Sequence, residues 1–354
     1  MWPPRNLARS IHSTLGTMQT QLVNNENMKK TTFILFLILN LLGCKNRHDD
    51  LILSTMNSFI KDDGNNTGLL FGCNEDGRIS IWTVGGISKD DELRVACPTS
   101  KPIISYLILK NGIDLNTPIS KWFPQKDGYT LSDSITVKML LLNSSGIRDF
   151  VRLVPNHPDS IVTVERTINI AYKNKELMFK PGTSWEYSNT NFNLLGLILE
   201  KELKKTFENL VLENFHSIAP SIKMDDGKAK YPKCYVNPWP YHWAAPGYAG
   251  GMVSTAEDAI KTFGFISKQK EFSIMSKSYN LDGSDAQNDK LGLGIYLDSN
   301  YGGLGKTIYY DGIIGVSKMN IYSINNKIYY VYAPYPCQKD LKEIAIKLIK
   351  IMNQ

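Results

Sequence analysis

Histidine and cysteine are scarce in this chain of 354 residues, five of each, and neither follows a metal-binding pattern. His12, His48, His157, His216 and His242 are scattered, with no HExxH or Cys-x-x-Cys spacing, so no metal site is expected. Cys44, Cys73, Cys97, Cys234 and Cys337 form no disulfide framework, which leaves packing to hold the core. No arginine-rich block or basic-aromatic repeat accompanies the mild net charge of +6, so no nucleic-acid partner is expected. What remains is ordinary globular material, 42% hydrophobic and 21% charged. It suffices for one large domain or two closely packed ones.

Long apolar runs are also missing. The run from Thr31 to Leu42 is too short to span a bilayer. It follows the basic Met28-Lys29-Lys30 and closes on Leu41-Leu42-Gly43-Cys44, the layout of a secretory signal. The segment resembles a bacterial lipoprotein signal, in which Cys44 becomes the lipidated first residue. A buried core segment is the other reading, and the polar Lys45-Asn46-Arg47-His48-Asp49-Asp50 that follows weighs against it. An exported lipoprotein is expected, anchored to the membrane through Cys44 in the periplasm or on the outer-membrane face. Residues 1–27 show no hydrophobic period and read as a mis-assigned upstream extension; 28–44 is the signal and 45–354 the folded domain.

Within that domain, Leu51 to Ile60 reads as a helix. Gly68 to Cys73 and Arg78 to Val84 read as strands joined by the turn Asn74-Glu75-Asp76-Gly77. Arg94 to Ile113 is a helix with its entry, and Ile135 to Leu142 is a short buried element. The stretch from Asn237 to Gly251 is rich in Pro, Gly and large aromatics, which suits either a pocket-lining loop or a structural one. Ser254 or Thr255 caps the next helix above an acidic first turn. Thr307 to Tyr310, Val316 to Ser323 and Lys327 to Ala333 are strand-forming, with a hairpin turn at Asn325-Asn326. Asp340 to Met352 is an amphipathic helix, packed on the terminal sheet or lying on a membrane surface. Strands at both ends imply an α+β fold: one antiparallel sheet from the N- and C-terminal strands, flanked by helices, plus a largely helical subdomain. The expected boundaries are 50–95 and 291–354 for the sheet subdomain and 96–290 for the helical one, with the cleft between them as the default site.

Pro181 to Glu200 carries the most chemical suggestion. A Pro-Gly turn leads to Tyr187-Ser188-Asn189 and then to a helix with an apolar flank, Leu194, Leu195, Leu197, Ile198 and Leu199. Asn189, Thr190 or Asn191 can cap that helix. A tyrosine and a carboxamide two residues apart on a turn can also act together, the phenolate as general base and the amide as an orienting group. An aromatic anchor beside a helix cap explains the same residues.

Four segments in order resemble the penicillin-recognising serine hydrolases, the family of class C β-lactamases, D-alanyl-D-alanine carboxypeptidases, penicillin-binding proteins and related esterases. Pro181-Gly182-Thr183 through Tyr187-Ser188-Asn189 to Leu195-Gly196 is similar to the second motif. Thr136 to Ile147 is similar to an LLxHxSGI segment, with Asn143 in the histidine position. Ala249 to Asp258 is close to GGxxSTxxD, and Asn111-Gly112-Ile113-Asp114-Leu115 with Pro118 resembles the segment after the nucleophile helix. The likeness runs from about Leu51 onward. It implies a β-lactamase/transpeptidase-like fold and hydrolysis of an amide or ester through an acyl-enzyme: a D-amino peptide, a β-lactam or a small ester. It implies a small-molecule or peptidoglycan-derived substrate and no cofactor. In such a site a serine three residues before a lysine attacks, and the motif tyrosine and the lysine share its proton.

The chain departs from that pattern at two places. Where Ser-x-x-Lys belongs it reads Arg94-Val95-Ala96-Cys97-Pro98-Thr99-Ser100-Lys101-Pro102. One register puts Cys97 in the serine position and Ser100 in the lysine position; the other keeps Lys101 and puts Pro98 where the nucleophile belongs. The third motif is Tyr310-Asp311-Gly312 in place of a cation-bearing Lys or His-x-Gly. The candidate catalytic residues are Cys97, Ser100, Lys101 and Tyr187, and the candidate substrate-binding residues are Asn189, Tyr310 and Gly312. Two functions follow: a hydrolase with a rebuilt site, Cys97 or Ser100 being nucleophile, or a catalytically impaired relative that binds peptidoglycan fragments or another envelope ligand.

Overall fold

Strand-forming runs near residues 70 and 330 pair with each other and set the architecture. The computed structural model describes residues 47–63, 68–94, 96–129, 132–153, 163–173, 176–226, 228–232, 247–279, 281, 289–314, 317–334, 337 and 339–354, with backbone alone at 96–98, 289–290 and 314. Residues 53–354 contain one compact unit. The signal at 28–44, Cys44 and most of the aromatic stretch that begins at Asn237 lie outside the described residues.

A helix over residues 47–63 (α1) comes first. Then come β1 (Gly68–Glu75), β2 (Arg78–Gly85), β3 (Leu93–Arg94) and α2 (Ala96–Lys110). The helices α3 (Val137–Leu141), α4 (Val164–Ala171), α5 (Asn189–Leu203) and α6 (Phe207–Phe215) follow. After them lie β4 (Lys223–Met224), β5 (Met252–Ser254), α7 (Ala256–Ser267) and α8 (Lys270–Met275). The chain ends with β6 (Asp289–Leu291), β7 (Tyr296–Asp298), β8 (Thr307–Ile314), β9 (Ser317–Ile324), β10 (Lys327–Ala333) and α9 (Leu341–Met352).

Seven strands form one sheet in the order β2-β1-β10-β9-β8-β7-β6, antiparallel throughout. The seam between the chain ends is β1 on β10, with Phe71 opposite Val331 and Cys73 opposite Tyr329. Both hairpins turn as their residues dictate: Asp76 and Gly77, and Asn325 and Asn326, all have positive φ, which Gly, Asn and Asp tolerate best. Leu70, Tyr330, Tyr332, Met319 and Ile321 belong to the core shared with Ile260 and Phe263 of α7 and Ile103 and Ile104 of α2. Phe71 and Tyr329, on the alternate positions, stack on each other, and Asn353 at the end of α9 hydrogen-bonds the Tyr329 hydroxyl. Helices on both faces explain why β1 and β10 are buried almost end to end instead of alternating.

Helix α2 is buried on every side from Thr99 to Ile108, so its polar residues Thr99, Ser100, Lys101 and Ser105 are buried with the apolar ones. Two features differ from the sequence expectations. Leu93–Arg94 is a strand, not a helix entry, and joins a second sheet in the order β3-β5-β4. Arg94 is held there by a buried ion pair with Asp225, 131 residues away, at 2.8 Å. Strands β6 and β7, not recognised as strands from the sequence, extend the main sheet at the expected boundary between the helical and sheet subdomains near residue 291. At α7 the choice between caps falls to Thr255, whose hydroxyl accepts the Asp258 N–H, while Ser254 ends β5. Among the described residues no helix is long and apolar enough to cross a membrane.

Candidate active site

Lys101, a candidate catalytic residue, is fully buried on α2. A buried ammonium needs acceptors, and two are present: the Asn189 side-chain oxygen at 3.1 Å and the Ala249 backbone oxygen at 3.0 Å. Aromatic faces enclose the rest of the charge. The nitrogen lies 5.1 Å from the ring centroid of Tyr187, 5.4 Å from that of Phe192 and 5.7 Å from that of Tyr310, within cation–π range.

Each partner is delivered by a separate element. Ala249 reaches Lys101 because the 3-10 turn Gly247–Ala249 lies directly on α5. A Cβ on Gly196 would come within 2.2 Å of the Tyr248 ring, so only glycine allows that approach. Asn193 then pins the turn, accepting the Ala249 N–H at 3.0 Å. Tyr187 and Asn189 sit at the entry to α5, and the Tyr187 hydroxyl donates to the Asn189 oxygen at 3.0 Å. That entry is tied to the loop after α3. The Asn143 side-chain oxygen accepts from the Ser188 N–H at 3.2 Å and from the Asn191 amide at 3.0 Å. Asn143 does this from the left-handed region, φ 55°, which asparagine adopts more readily than most residues.

None of Asn189, Thr190 and Asn191 caps α5. Its N-cap is Ser188, which makes no side-chain capping bond. The carboxamide of Asn189 is committed to the site, the Thr190 hydroxyl to residues 148 and 150, and Asn191 to Asn143 and Ser145. Behind Asn189 stands a carboxylate that sequence reasoning missed. Asp149 accepts the Asn189 amide N–H at 2.9 Å through one oxygen and the Val151 N–H at 3.2 Å through the other. Burial pushes the Asp149 carboxyl above the usual carboxylate range, while the Val151 N–H, the Asn189 amide and the Lys101 charge pull the other way. Its only sequence signal was a polar residue just past Ser144-Ser145-Gly146, indistinguishable from a cap, and it does cap the turn Phe150–Arg152.

The remaining candidates divide. Tyr310 faces the cleft from β8 and stacks on Tyr296, ring centroids 5.1 Å apart. Gly312 is buried in β8 opposite Met319. Ser100 is fully buried, but its hydroxyl makes no hydrogen bond with Lys101 or any other described residue. One residue along a helix is about 100° around its axis, so Ser100 does not share the Lys101 face. With Lys101 in the site, the residue three before it is Pro98, and Cys97 is four before it, in the first turn of α2. The rings of Phe192 and Tyr310 separate the lysine from a small recess of about 10 Å³, lined also by Leu142, Asn143, Trp185 and Tyr296, and none of its described lining residues is charged. The thiols of Cys73 and Cys337 are far less available than an exposed one: burial pushes them up to about 12 and about 11.

A fixed ammonium, a phenol and a carboxamide around one point can hold a carbonyl group and shuttle a proton, provided a nucleophile is adjacent. This arrangement can be set beside known proteins. The family model for β-lactamase matches residues 62–333. Protein flp of Staphylococcus aureus strain MRSA252 is 32% identical over 137 residues, covering 36% of this chain and 27% of that protein. The chain thus aligns with about a quarter of the length of the curated relatives it matches. Among solved structures, D-amino acid amidase from Ochrobactrum anthropi SV3 superposes with a TM-score of 0.73 at 18% identity, over 87% of this chain and 98% of that one. A D-stereospecific amidohydrolase from Streptomyces gives 0.69 at 20%, over 83% and 96%. The octameric penicillin-binding protein homologue from Pyrococcus abyssi gives 0.70 at 18%, over 86% and 77%. With the family model spanning most of its length and the fold shared throughout, the chain belongs to the β-lactamase family of penicillin-recognising serine hydrolases.

Proposed function

We propose that this protein binds an amide- or ester-containing ligand of the bacterial envelope, such as a peptidoglycan fragment, in the Lys101–Tyr187–Asn189 cleft, and forms no serine acyl-enzyme. One observation carries the reading. Lys101 hydrogen-bonds Asn189 and Ala249, which supports it as the lysine of the motif, and the helical position three residues before it is Pro98, which has no nucleophilic atom. Losing one member of a coupled catalytic set removes most of its rate. The binding elements meanwhile persist: the buried cation, the phenol, the carboxamide and an uncharged recess. The envelope setting rests on the resemblance of residues 28–44 to a lipoprotein signal, with Cys44 as the anchored residue.

A second reading is favoured by the helix register. Positions i and i+4 lie on one helical face, and Cys97 precedes Lys101 by four residues near the helix N-terminus, where a thiolate is stabilised. Sulfur would attack the carbonyl carbon, expel the amine or alcohol with a proton, and form a thioester that water cleaves.

Labelling the mature protein with a fluorescent penicillin and a fluorophosphonate, then mass spectrometry of residues 94–112, separates the readings. No adduct from either probe on folded protein is the expected result. A stoichiometric adduct on Ser100 would overturn the proposal, and one on Cys97 would establish the thiol route.

A further inference from the structure

The amide of Asn189 faces two charges of opposite sign. Its oxygen accepts from Lys101 at 3.1 Å and from Tyr187 at 3.0 Å, while its nitrogen donates to Asp149 at 2.9 Å. Turning the amide over would set NH2 against the ammonium and oxygen against the carboxylate, losing both bonds. The two charges are buried and bridged by a single side chain, so each is poorly screened and feels the other. The other described groups against Lys101 are uncharged: the Ala249 oxygen and the rings of Tyr187, Phe192 and Tyr310. Asp311, next to Tyr310 on β8, is exposed; Glu186, next to Tyr187, is half-buried and already paired with the exposed Arg152 at 3.0 Å. No charged residue is found among those described around the recess.

We propose that Asp149 is the positioning counter-ion of Lys101. Acting through Asn189, it fixes which atom of the amide meets the ammonium and balances its charge, leaving a neutral cleft floor selective for uncharged amides and esters over carboxylates. The selectivity rests on the cleft being a binding site; the coupling of Asp149 to Lys101 does not.

Two measurements test these parts separately. NMR titration of protein carrying 13Cε-lysine follows Lys101 directly. Asp149→Asn lowers its proton affinity by at least about tenfold, one pKa unit, and Asp149→Glu restores part of it. An unchanged Lys101 in folded Asp149→Asn overturns the proposal, because a merely structural aspartate would alter the melting temperature alone. Should Asp149→Asn not fold, wild-type protein answers the same question: the Asn189 side-chain amide protons must shift as Asp149 titrates, and their indifference overturns the coupling. In the second measurement, wild-type protein binds N-acetyl-D-Ala-D-Ala amide at least about tenfold more tightly than the free acid, and Asp149→Asn narrows that ratio. Preference for the acid in the wild type overturns the neutral floor. Binding of neither ligand, with the Lys101 shift present, overturns the cleft as their binding site and supports the charge coupling.

Discussion

Asn143 shows how much a single side chain can hold at the residue scale. Its oxygen accepts from both Ser188 and Asn191 at the entry to α5, so it sets where Tyr187 and Asn189 emerge. Asn143→Ala removes two buried bonds and forces a left-handed φ on alanine, a loss of about 2–4 kcal/mol in urea unfolding. Asn143→Gly removes the same bonds but relieves the backbone, so it costs less. Equal losses for the two variants would show that the backbone conformation contributes nothing. The sequence marked Asn143 only as the residue in a histidine position. Its role depends on partners 45 and 48 residues away, a separation that local pattern cannot encode.

Among elements, the small sheet β3-β5-β4 anchors the start of α2. Arg94 pairs with Asp225 inside it, and Tyr231 hydrogen-bonds both. Nearby, Glu92 accepts from Lys223 at 2.9 Å and from the Lys230 N–H at 2.6 Å. Burial tends to raise the Glu92 carboxyl, but the hydrogen bonds from Lys223 and Lys230, with their charges, hold it below its ordinary 4.5. A carboxylate lowered on folding stabilises the protein above its unfolded pKa, and that contribution fades as pH falls through the folded value. Wild type therefore exceeds Glu92→Gln by its full margin at pH well above 4.5 and below the titration of Lys223, of about 0.5–1 kcal/mol given the partial exposure of Lys223, and the margin shrinks as pH falls through the Glu92 range. Melting temperature against pH for both proteins checks it; a margin that grows in acid would remove the role assigned to Glu92. The sequence placed Arg94 beside the catalytic-helix motif but took it for a helix entry. Two-residue strands have no period to read, and their existence depends on a partner strand brought from the other half of the chain.

On the scale of the whole molecule, the first and last strands of the sheet-forming unit, β1 and β10, are neighbours. β1 pairs with β10, and α9 covers the sheet with the buried residues Leu341, Ile344, Leu348 and Ile349. Deleting residues 341–354 uncovers these contacts on the sheet; at about 1.5–3 kcal/mol for each buried aliphatic side chain, the loss rivals the net stability of a domain. The truncated protein is expected to bind a hydrophobic dye and lose its cooperative melting transition. Retention of a sharp transition would mean that α9 is dispensable.

The sequence by itself determined the family, the α+β class, the terminal strands and the Tyr187–Asn189 entry to a helix. Those signals are local: alternating or continuous apolar runs, turn residues, and short motifs in a recognisable order. Only the tertiary structure showed which residue of α2 lies beside Tyr187 and Asn189. Cys97, Ser100 and Lys101 were equal candidates in the linear sequence, because two alignments of the same nine residues fit equally well. The fold separates them, since a buried ammonium must meet acceptors, and the pair available to Lys101 comes from residues 189 and 249. The same requirement brings Asp149 behind Asn189, a relation between three segments that have no common motif and meet only when the helices pack.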